Sequence, residues 1–138
     1  MSKSLPRGLR VNNPGNIEIS KGAPWRGEVI PSADSRFAQF KSMAYGYRAM
    51  FKLLDNYNKI YGLNTVASMI NRWAPSEENY TSDYIDFVAG RMGVPPTAHI
   101  DTEDKDTMVA MVSAMARVEQ GVEADTFDVT DGWNLFMK

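Results

Sequence analysis

The sequence has no cysteine, and His99 is the one histidine in its 138 residues. The lack of cysteine excludes disulfides, thiolate nucleophiles and Cys-ligated zinc or iron–sulfur centres. A Ser-His-Asp triad would depend on His99, and a zinc peptidase would lack its usual two or three imidazoles. The chemistry that remains rests on carboxylates, hydroxyls and aromatic rings, and we expect no metal and no organic cofactor.

Long apolar runs are also missing. No stretch approaches the ~18 apolar residues of a membrane span, and the N-terminus lacks the apolar region of a secretory signal peptide. We therefore expect neither a transmembrane segment nor a signal peptide. Apolar residues still make up 43% of the chain and charged residues 23%, which is typical of a folded domain. We expect a single domain over residues 1–138, with residues 1–6 flexible.

Charge is distributed unevenly along the chain. Residues 1–60 carry ten Lys and Arg against four Asp and Glu, whereas residues 61–138 carry five against thirteen. The basic half could face an anionic polymer, or the two halves could attract each other across the fold. No Lys/Arg run and no zinc-finger, RNP or basic-zipper pattern is present, so we expect no nucleic-acid partner.

The spacing of apolar residues predicts a mainly α fold. Residues 1–41 are rich in Gly, Pro, Asn and Ser, which favours loops with one short hairpin. Periodicity and capping residues then predict five helices. The first is capped by Ser42 and ends at Gly62, and the second runs from Thr65 to about Arg72 with Asn64 as its cap. The third runs from Tyr80 or Thr81 to Met92. The fourth is opened by Asp101-Thr102 and ends at Gly121, and the fifth runs from about Asp125 to Phe136.

Glu119 is the strongest candidate for catalysis. It follows Met115 by four residues and Val112 by seven, so it continues the apolar stripe of its helix. It also lies in the last turn, where the helix dipole disfavours negative charge. Both features disfavour the ionised carboxyl, as a general acid near neutral pH requires. The alternative is a Glu at the domain edge that faces solvent or pairs with Arg117 or Arg72.

Two further segments combine aromatic and polar side chains. Between two predicted helices, three rings suitable for stacking on sugars accompany four polar side chains: Trp73, Tyr80, Tyr84, Glu77, Glu78, Asn79 and Thr81. The alternative for this segment is helix capping with Trp73 in the core. The second segment is the tight turn Asn12-Asn-Pro-Gly-Asn-Ile17, whose three Asn exceed what a turn requires. Trp25-Arg-Gly27 follows it.

These motifs, taken in order, resemble a family of phage and prophage structural proteins similar to the lysozyme-like lytic transglycosylases, muramidases and glucosaminidases. The resemblance rests on Arg7-Gly8, Asn12 to Ile17, Trp25-x-Gly27, Phe37-x-x-Phe40, Gly46-Tyr-Arg-Ala49, Arg72-Trp-Ala-Pro75 and Glu78-Asn79-x-Thr81. It implies a single-domain lysozyme-like fold. Two departures stand out: Glu18, where the family has a basic residue, and Tyr80, where it often has Asn.

In glucosaminidase-like relatives the catalytic Glu ends a helix and the Asn-containing turn follows it. Here the helix that ends in Glu119 comes near the end of the chain, far behind the turn. We therefore hypothesise a circularly permuted order, in which the chain ends meet and Glu119 enters a groove beside the Asn12–Ile17 turn.

The resemblance implies cleavage of the β-1,4 bond between N-acetylmuramic acid and N-acetylglucosamine, with Glu119 as the acid. Asp34, Glu77 and Glu78 are candidates for a second carboxylate, without which a lytic transglycosylase is favoured. The predicted substrate contacts are Asn12, Asn13, Asn16, Trp25, Trp73, Asn79, Tyr80, Thr81 and Tyr84. The competing hypothesis is a non-catalytic virion or wall-binding protein that keeps the groove. Either protein would associate with the virion, with glycan strands and other virion proteins as partners, or stay in the bacterial cytoplasm before release to the wall.

Overall fold

Six helices carry most of the chain in the computed structural model, which describes residues 5–75 and 78–138, the side chains of residues 78 and 79 excepted. A two-stranded antiparallel sheet lies between the first two helices. In chain order the elements are α1 (Arg7–Arg10), β1 (Glu28–Val29), β2 (Gln39–Phe40), α2 (Met43–Tyr61), α3 (Val66–Trp73), α4 (Glu78–Met92), α5 (Lys105–Gln120) and α6 (Thr126–Met137). The prediction of a mainly α fold is confirmed.

Local signals fix most helix ends. The side chain of Ser42 accepts a hydrogen bond from the Tyr45 amide at the start of α2, and the helix ends at Gly62. Asp125 likewise caps α6, and α5 ends at Gly121. Such side-chain acceptors satisfy amides that have no partner within the helix. The short hairpin is also present, and α1 is a four-residue helix that the loop-like composition of residues 1–41 did not indicate.

The predicted cap of α3 is off by one residue. Thr65, not Asn64, caps this helix, because its hydroxyl accepts from the Ser68 amide and the Ser68 hydroxyl accepts from the Thr65 amide. This reciprocal pair is a capping box, whereas the main-chain carbonyl of Asn64 accepts from the Ile100 amide.

The predicted start of α5 at Asp101-Thr102 is wrong. Thr102 is buried, and its hydroxyl donates to the Asp55 carboxylate on α2, 2.7 Å away. This tertiary contact holds Thr102 outside the helix, so Asp104 becomes the cap and α5 begins at Lys105. Asp101, Glu103 and Asp104 therefore lie in the turn that precedes α5 and do not form its first helical turn.

The helices pack around α2. Helix α6 lies along one side of α2, and the Trp133 ring meets the edge of Phe51 with centroids 5.1 Å apart. Helices α4 and α5 pack against each other, and α3 packs on α4. Along α5 the apolar stripe is buried through Met108, Met111, Val112 and Met115. The last turn of α5 therefore reaches the edge of the core, where Glu119 lies.

The N-terminal segment wraps over the end of the core. β1 pairs with β2 in the register Glu28 with Phe40 and Val29 with Gln39, and Glu18 forms an isolated bridge with Phe37. The main chain thus brings the turn at residues 12–17 against β2 and α5. Among the described residues, no helix is long and apolar enough to cross a membrane.

Candidate functional site

An open groove of about 560 Å³ lies where the Asn12–Ile17 turn, the hairpin, α2, the α3–α4 connection and the end of α5 meet. Its volume is in the range of ligand-binding clefts. It is lined by Gly15 to Glu18 from the turn, Arg36 and Phe37 from the hairpin, Leu53 and Tyr57 from α2, Trp73 to Pro75, Tyr80 from α4 and Glu119 from α5.

Glu119 is held in this groove by three side-chain donors. Asn16 Nδ2 lies 3.0 Å from Oε1, while Trp73 Nε1 and the Tyr84 hydroxyl lie 3.2 Å and 2.9 Å from Oε2. The donors come from three parts of the chain, the N-terminal turn, α3 and α4. The structure therefore brings Glu119 beside the Asn12–Ile17 turn, although 103 positions separate Glu119 from Asn16.

Opposing physical effects act on the Glu119 carboxyl. The three donors stabilise the carboxylate form, whereas partial burial and the carbonyl end of α5 favour the neutral acid. Burial, and next the charge of Glu119, raise the pKa of Tyr84 far above its usual range. The same two causes raise the pKa of Tyr80. Both tyrosines therefore stay neutral and available as hydrogen-bond donors.

Trp73 and Tyr80 line the groove as predicted for stacking, but Tyr84 does not. Tyr80 leaves 44% of its surface exposed, and Trp73 is half-buried. Tyr84 is only 2% exposed, so its ring cannot stack on a sugar. Its hydroxyl instead reaches Glu119 from behind and also lies 3.4 Å from the carbonyl oxygen of Met115. Tyr84 thus helps to hold the Glu119 carboxyl and does not form part of the groove surface.

Four predicted substrate contacts have other partners in the structure. Asn13 is fully buried, donating to the carbonyls of Ile17 and Ala38 and accepting from the Ile17 amide. Thr81 is buried and donates to the carbonyl of Ala74. Asn12 donates to the carbonyl of Phe40, and Trp25 packs partly buried against the core away from the groove. Asn12, Asn13 and Thr81 thus bind the main chain, and Trp25 packs on the core, which corrects the expectation that these four side chains contact substrate.

The predicted second carboxylates are not found in the described part of the groove. Asp34 accepts from the Arg36 and Phe37 amides and pairs with Arg7 at 3.5 Å, which places it in the hairpin turn. The pKa of Asp34 is lowered chiefly by the hydrogen bonds from the Phe37 and Arg36 amides. Glu77 and the side chains of Glu78 and Asn79 lie outside the described residues.

Glu18 is the second carboxylate that the described residues place in the groove. Its Oε1 lies 3.0 Å from Arg36 Nη2 and 3.1 Å from Arg36 Nε. In the sequence, Glu18 stands out only as a departure from the family pattern and is not among the predicted second carboxylates. The pairing of residue 18 with residue 37 brings it to the groove, and no local sequence signal predicts that pairing. Elsewhere among the described residues, no group of three or more His, Asp and Glu could hold a metal ion.

Comparison with known proteins places the chain in a family of phage proteins. The chain is 42% identical over 124 residues to Protein P5 of Pseudoalteromonas phage PM2, an alignment that covers 88% of this chain and 76% of Protein P5. The chain belongs to the family of Protein P5. No family model matches the chain, so the resemblance to lysozyme-like enzymes stays a prediction.

Proposed function

We propose that the protein cleaves the β-1,4 bond between N-acetylmuramic acid and N-acetylglucosamine in peptidoglycan, with Glu119 as general acid. The observation that carries the proposal is a carboxyl fixed by three donors in an open groove, with the exposed ring of Tyr80 and the half-buried ring of Trp73 beside it. Aromatic faces bind sugar rings, and a positioned carboxyl can protonate the glycosidic oxygen.

Tyr84 allows the carboxyl to be held in both of its protonation states. When Glu119 is ionised, the Tyr84 hydroxyl donates to Oε2. When Oε2 carries a proton, the hydroxyl can accept it and donate to the Met115 carbonyl oxygen instead. For catalysis the carboxyl proton must face the groove instead, where it passes to the leaving oxygen while the Tyr84 hydroxyl donates to Oε2, and the carboxylate then stabilises the oxocarbenium-like transition state.

Glu18 supports hydrolysis over transglycosylation. A hydrolase requires a second carboxylate to activate water or to bond to the sugar, whereas a lytic transglycosylase uses the muramoyl 6-hydroxyl of its substrate. Glu18 shares the groove with Glu119, and its exposed pairing with Arg36 leaves it accessible. We therefore expect products with reducing ends.

The decisive experiment incubates the protein with purified sacculi and analyses the released muropeptides. Reducing ends support the hydrolase, and ends in 1,6-anhydromuramic acid would assign a lytic transglycosylase. Binding to sacculi without release would overturn the catalytic proposal. Glu123→Gln serves as a control, because Glu123 pairs with Arg91 and Arg117 away from the groove.

A non-catalytic virion protein that binds the wall through the same groove is the second candidate. The phage relative supports a place in the virion, with other virion proteins as partners. In the sacculus experiment this candidate predicts pull-down with no soluble product.

We expect Tyr80→Ala to weaken sacculus binding by roughly 3- to 10-fold, because aromatic contacts of this kind contribute about 0.5–1.5 kcal/mol. Tyr61→Ala is the matched control, since Tyr61 is 54% exposed and does not line the groove. Affinity is measured by co-sedimentation with sacculi, and both variants should keep the wild-type melting temperature. Equal losses in the two variants would remove Tyr80 from the binding surface.

We expect Glu18→Gln to slow the release of reducing-end products by about 10²-fold, the lower limit for a general base. The substitution removes an exposed ion pair with Arg36, so the free energy of unfolding should change by less than about 1 kcal/mol. Glu103→Gln, which removes a comparably exposed pairing with Lys59, provides the control. Full activity of Glu18→Gln would mean that Glu18 is not the second carboxylate.

A further inference from the structure

We infer that Gln120 and Asn16 form a positioning pair that orients the Glu119 carboxyl by holding a donor on Oε1. The inference rests on the proposed function, in which Glu119 is the acid. Neither amide contacts substrate in this role. Two main-chain carbonyl oxygens fix the orientation of the Gln120 amide, Gln120 fixes that of the Asn16 amide, and Asn16 donates to Glu119 Oε1.

The orientation of the pair is fixed at Gln120. Its side chain is 6% exposed, and its Nε2 lies 3.0 Å from the carbonyl oxygen of Pro14 and 3.3 Å from that of Asn13. Carbonyl oxygens only accept hydrogen bonds, so the amide nitrogen of Gln120 must face them. The same nitrogen lies 3.1 Å from Asn16 Oδ1.

Asn16 passes this orientation on to Glu119. Since Oδ1 accepts from Gln120, the amide group Nδ2 must point the other way, where it lies 3.0 Å from Glu119 Oε1 and 3.4 Å from the Glu119 carbonyl oxygen. Oε1 therefore remains an acceptor whether or not Glu119 is ionised. Oε2 likewise accepts from Trp73 Nε1, which can only donate, and from the Tyr84 hydroxyl, so the carboxyl is held at both oxygens.

The α1 backbone packs closely against the pair. A Cβ atom at Gly8 would lie 2.3 Å from Gln120 Nε2 and 2.6 Å from Asn16 Oδ1, so the α1 backbone closes the pair from one side. Asn16 itself has φ of 51°, in the left-handed region that Asn tolerates better than most residues. Glycine could adopt this backbone, but it could not supply the amide.

The titratable groups around Glu119 belong to four other parts of the chain. Tyr80 and Tyr84 face it from α4, and Tyr57 lines the groove from α2. Glu18 at the end of the turn and Arg36 of the hairpin line it as an ion pair. None of them contacts Asn16 or Gln120 in the hydrogen bonds described, so changing the pair leaves these charges in place.

The test follows the titration of the Glu119 side-chain carboxyl carbon by NMR in the full-length protein. Asn16→Gly keeps the left-handed backbone and removes the amide, whereas Gln120→Met keeps the chain length and removes the donor. Loss of a hydrogen bond to a charged group should move the titration midpoint of Glu119 upward by about one pH unit in Asn16→Gly, and by less in Gln120→Met. The matched control is Asn12→Gly, since Asn12 has φ of 58° and donates to Phe40, away from Glu119.

The inference is overturned if the midpoint stays put in Asn16→Gly, or moves as far in Asn12→Gly. Should Gln120→Met fail to fold, Asn16→Gly still decides the question. In the sacculus assay, Asn16→Gly should lower kcat with little change in KM, and the alkaline limb of the pH–rate profile, which reports the general acid, should shift in the direction seen by NMR. A wild-type protein without activity would defeat the proposed function alone, because the NMR titration does not depend on turnover.

Discussion

Glu119→Gln should reduce muropeptide release by about 10²–10⁴-fold, the usual contribution of a general acid. Glutamine is nearly isosteric with glutamate but has no proton to deliver to the leaving oxygen. Activity is measured as soluble muropeptide per unit time, with Glu123→Gln as the control away from the groove. Wild-type activity in Glu119→Gln would show that the acid lies elsewhere, and Glu18 would be the next candidate to test.

The structure and the sequence alone lead to different expectations for the stability of Glu119→Gln. The apolar stripe and the helix C-terminus both disfavour an ionised carboxyl, so the sequence alone predicts that Glu119→Gln keeps or slightly raises the stability. The structure shows three donors around the carboxyl, and an amide presents only one oxygen. With that oxygen on Asn16 and the new NH₂ on the Tyr84 hydroxyl, Trp73 Nε1 loses its acceptor.

We therefore expect Glu119→Gln to lower the free energy of unfolding by about 1 kcal/mol, the cost of one lost hydrogen bond. Urea unfolding at constant slope measures this value. A loss of several kcal/mol would mean that Glu119 is mainly a structural acceptor, whatever its activity.

Glu119 could be found from the sequence because its signal is local. A helical stripe of Met108, Met111, Val112 and Met115 defines the buried face of α5, and a carboxyl that continues this face in the last turn stands out. The helix ends could be predicted for the same reason, since Ser42 and Asp125 act within one turn of themselves.

The partners of Glu119 could be named only in part. Asn16 was selected together with Asn12 and Asn13, because three amides in one turn are equivalent in sequence. The fold separates them, since Asn13 is buried by Ile17 and Ala38 and Asn12 turns to Phe40. Only the third amide points to α5. Which of several similar side chains faces a groove depends on packing between distant segments.

Glu18 and Gln120 escaped prediction for a related reason. The role of Glu18 depends on a bridge to Phe37, and the role of Gln120 depends on carbonyl oxygens of the Asn12–Ile17 turn. Neither contact is marked in the sequence by a helical or strand periodicity or by a capping residue. The wrong start of α5 has the same origin, because the contact of Thr102 with Asp55 joins residues 47 positions apart.

Gly46→Ala should lower the free energy of unfolding by about 3 kcal/mol, the upper range for overpacking. Gly46 lies in the first turns of α2, where a Cβ atom would come within 2.2 Å of the carbonyl oxygen of Asn12 and 2.5 Å of Pro14 Cδ. Main-chain and ring atoms cannot rotate aside as a flexible side chain can. The turn would have to move off α2, which would also draw Asn16 away from Glu119.

Gly90→Ala is the matched control for this prediction. Gly90 lies exposed in α4, and a Cβ atom there would meet no heavy atom within 4 Å. Alanine should therefore stabilise the protein by roughly 0.5–1 kcal/mol through helix propensity alone. Urea unfolding of the two variants should give changes of opposite sign, and the loss in Gly46→Ala should be accompanied by reduced sacculus lysis. If Gly46→Ala is as stable as the wild type, the turn is not clamped against α2, and the placement of Asn16 beside Glu119 loses its support.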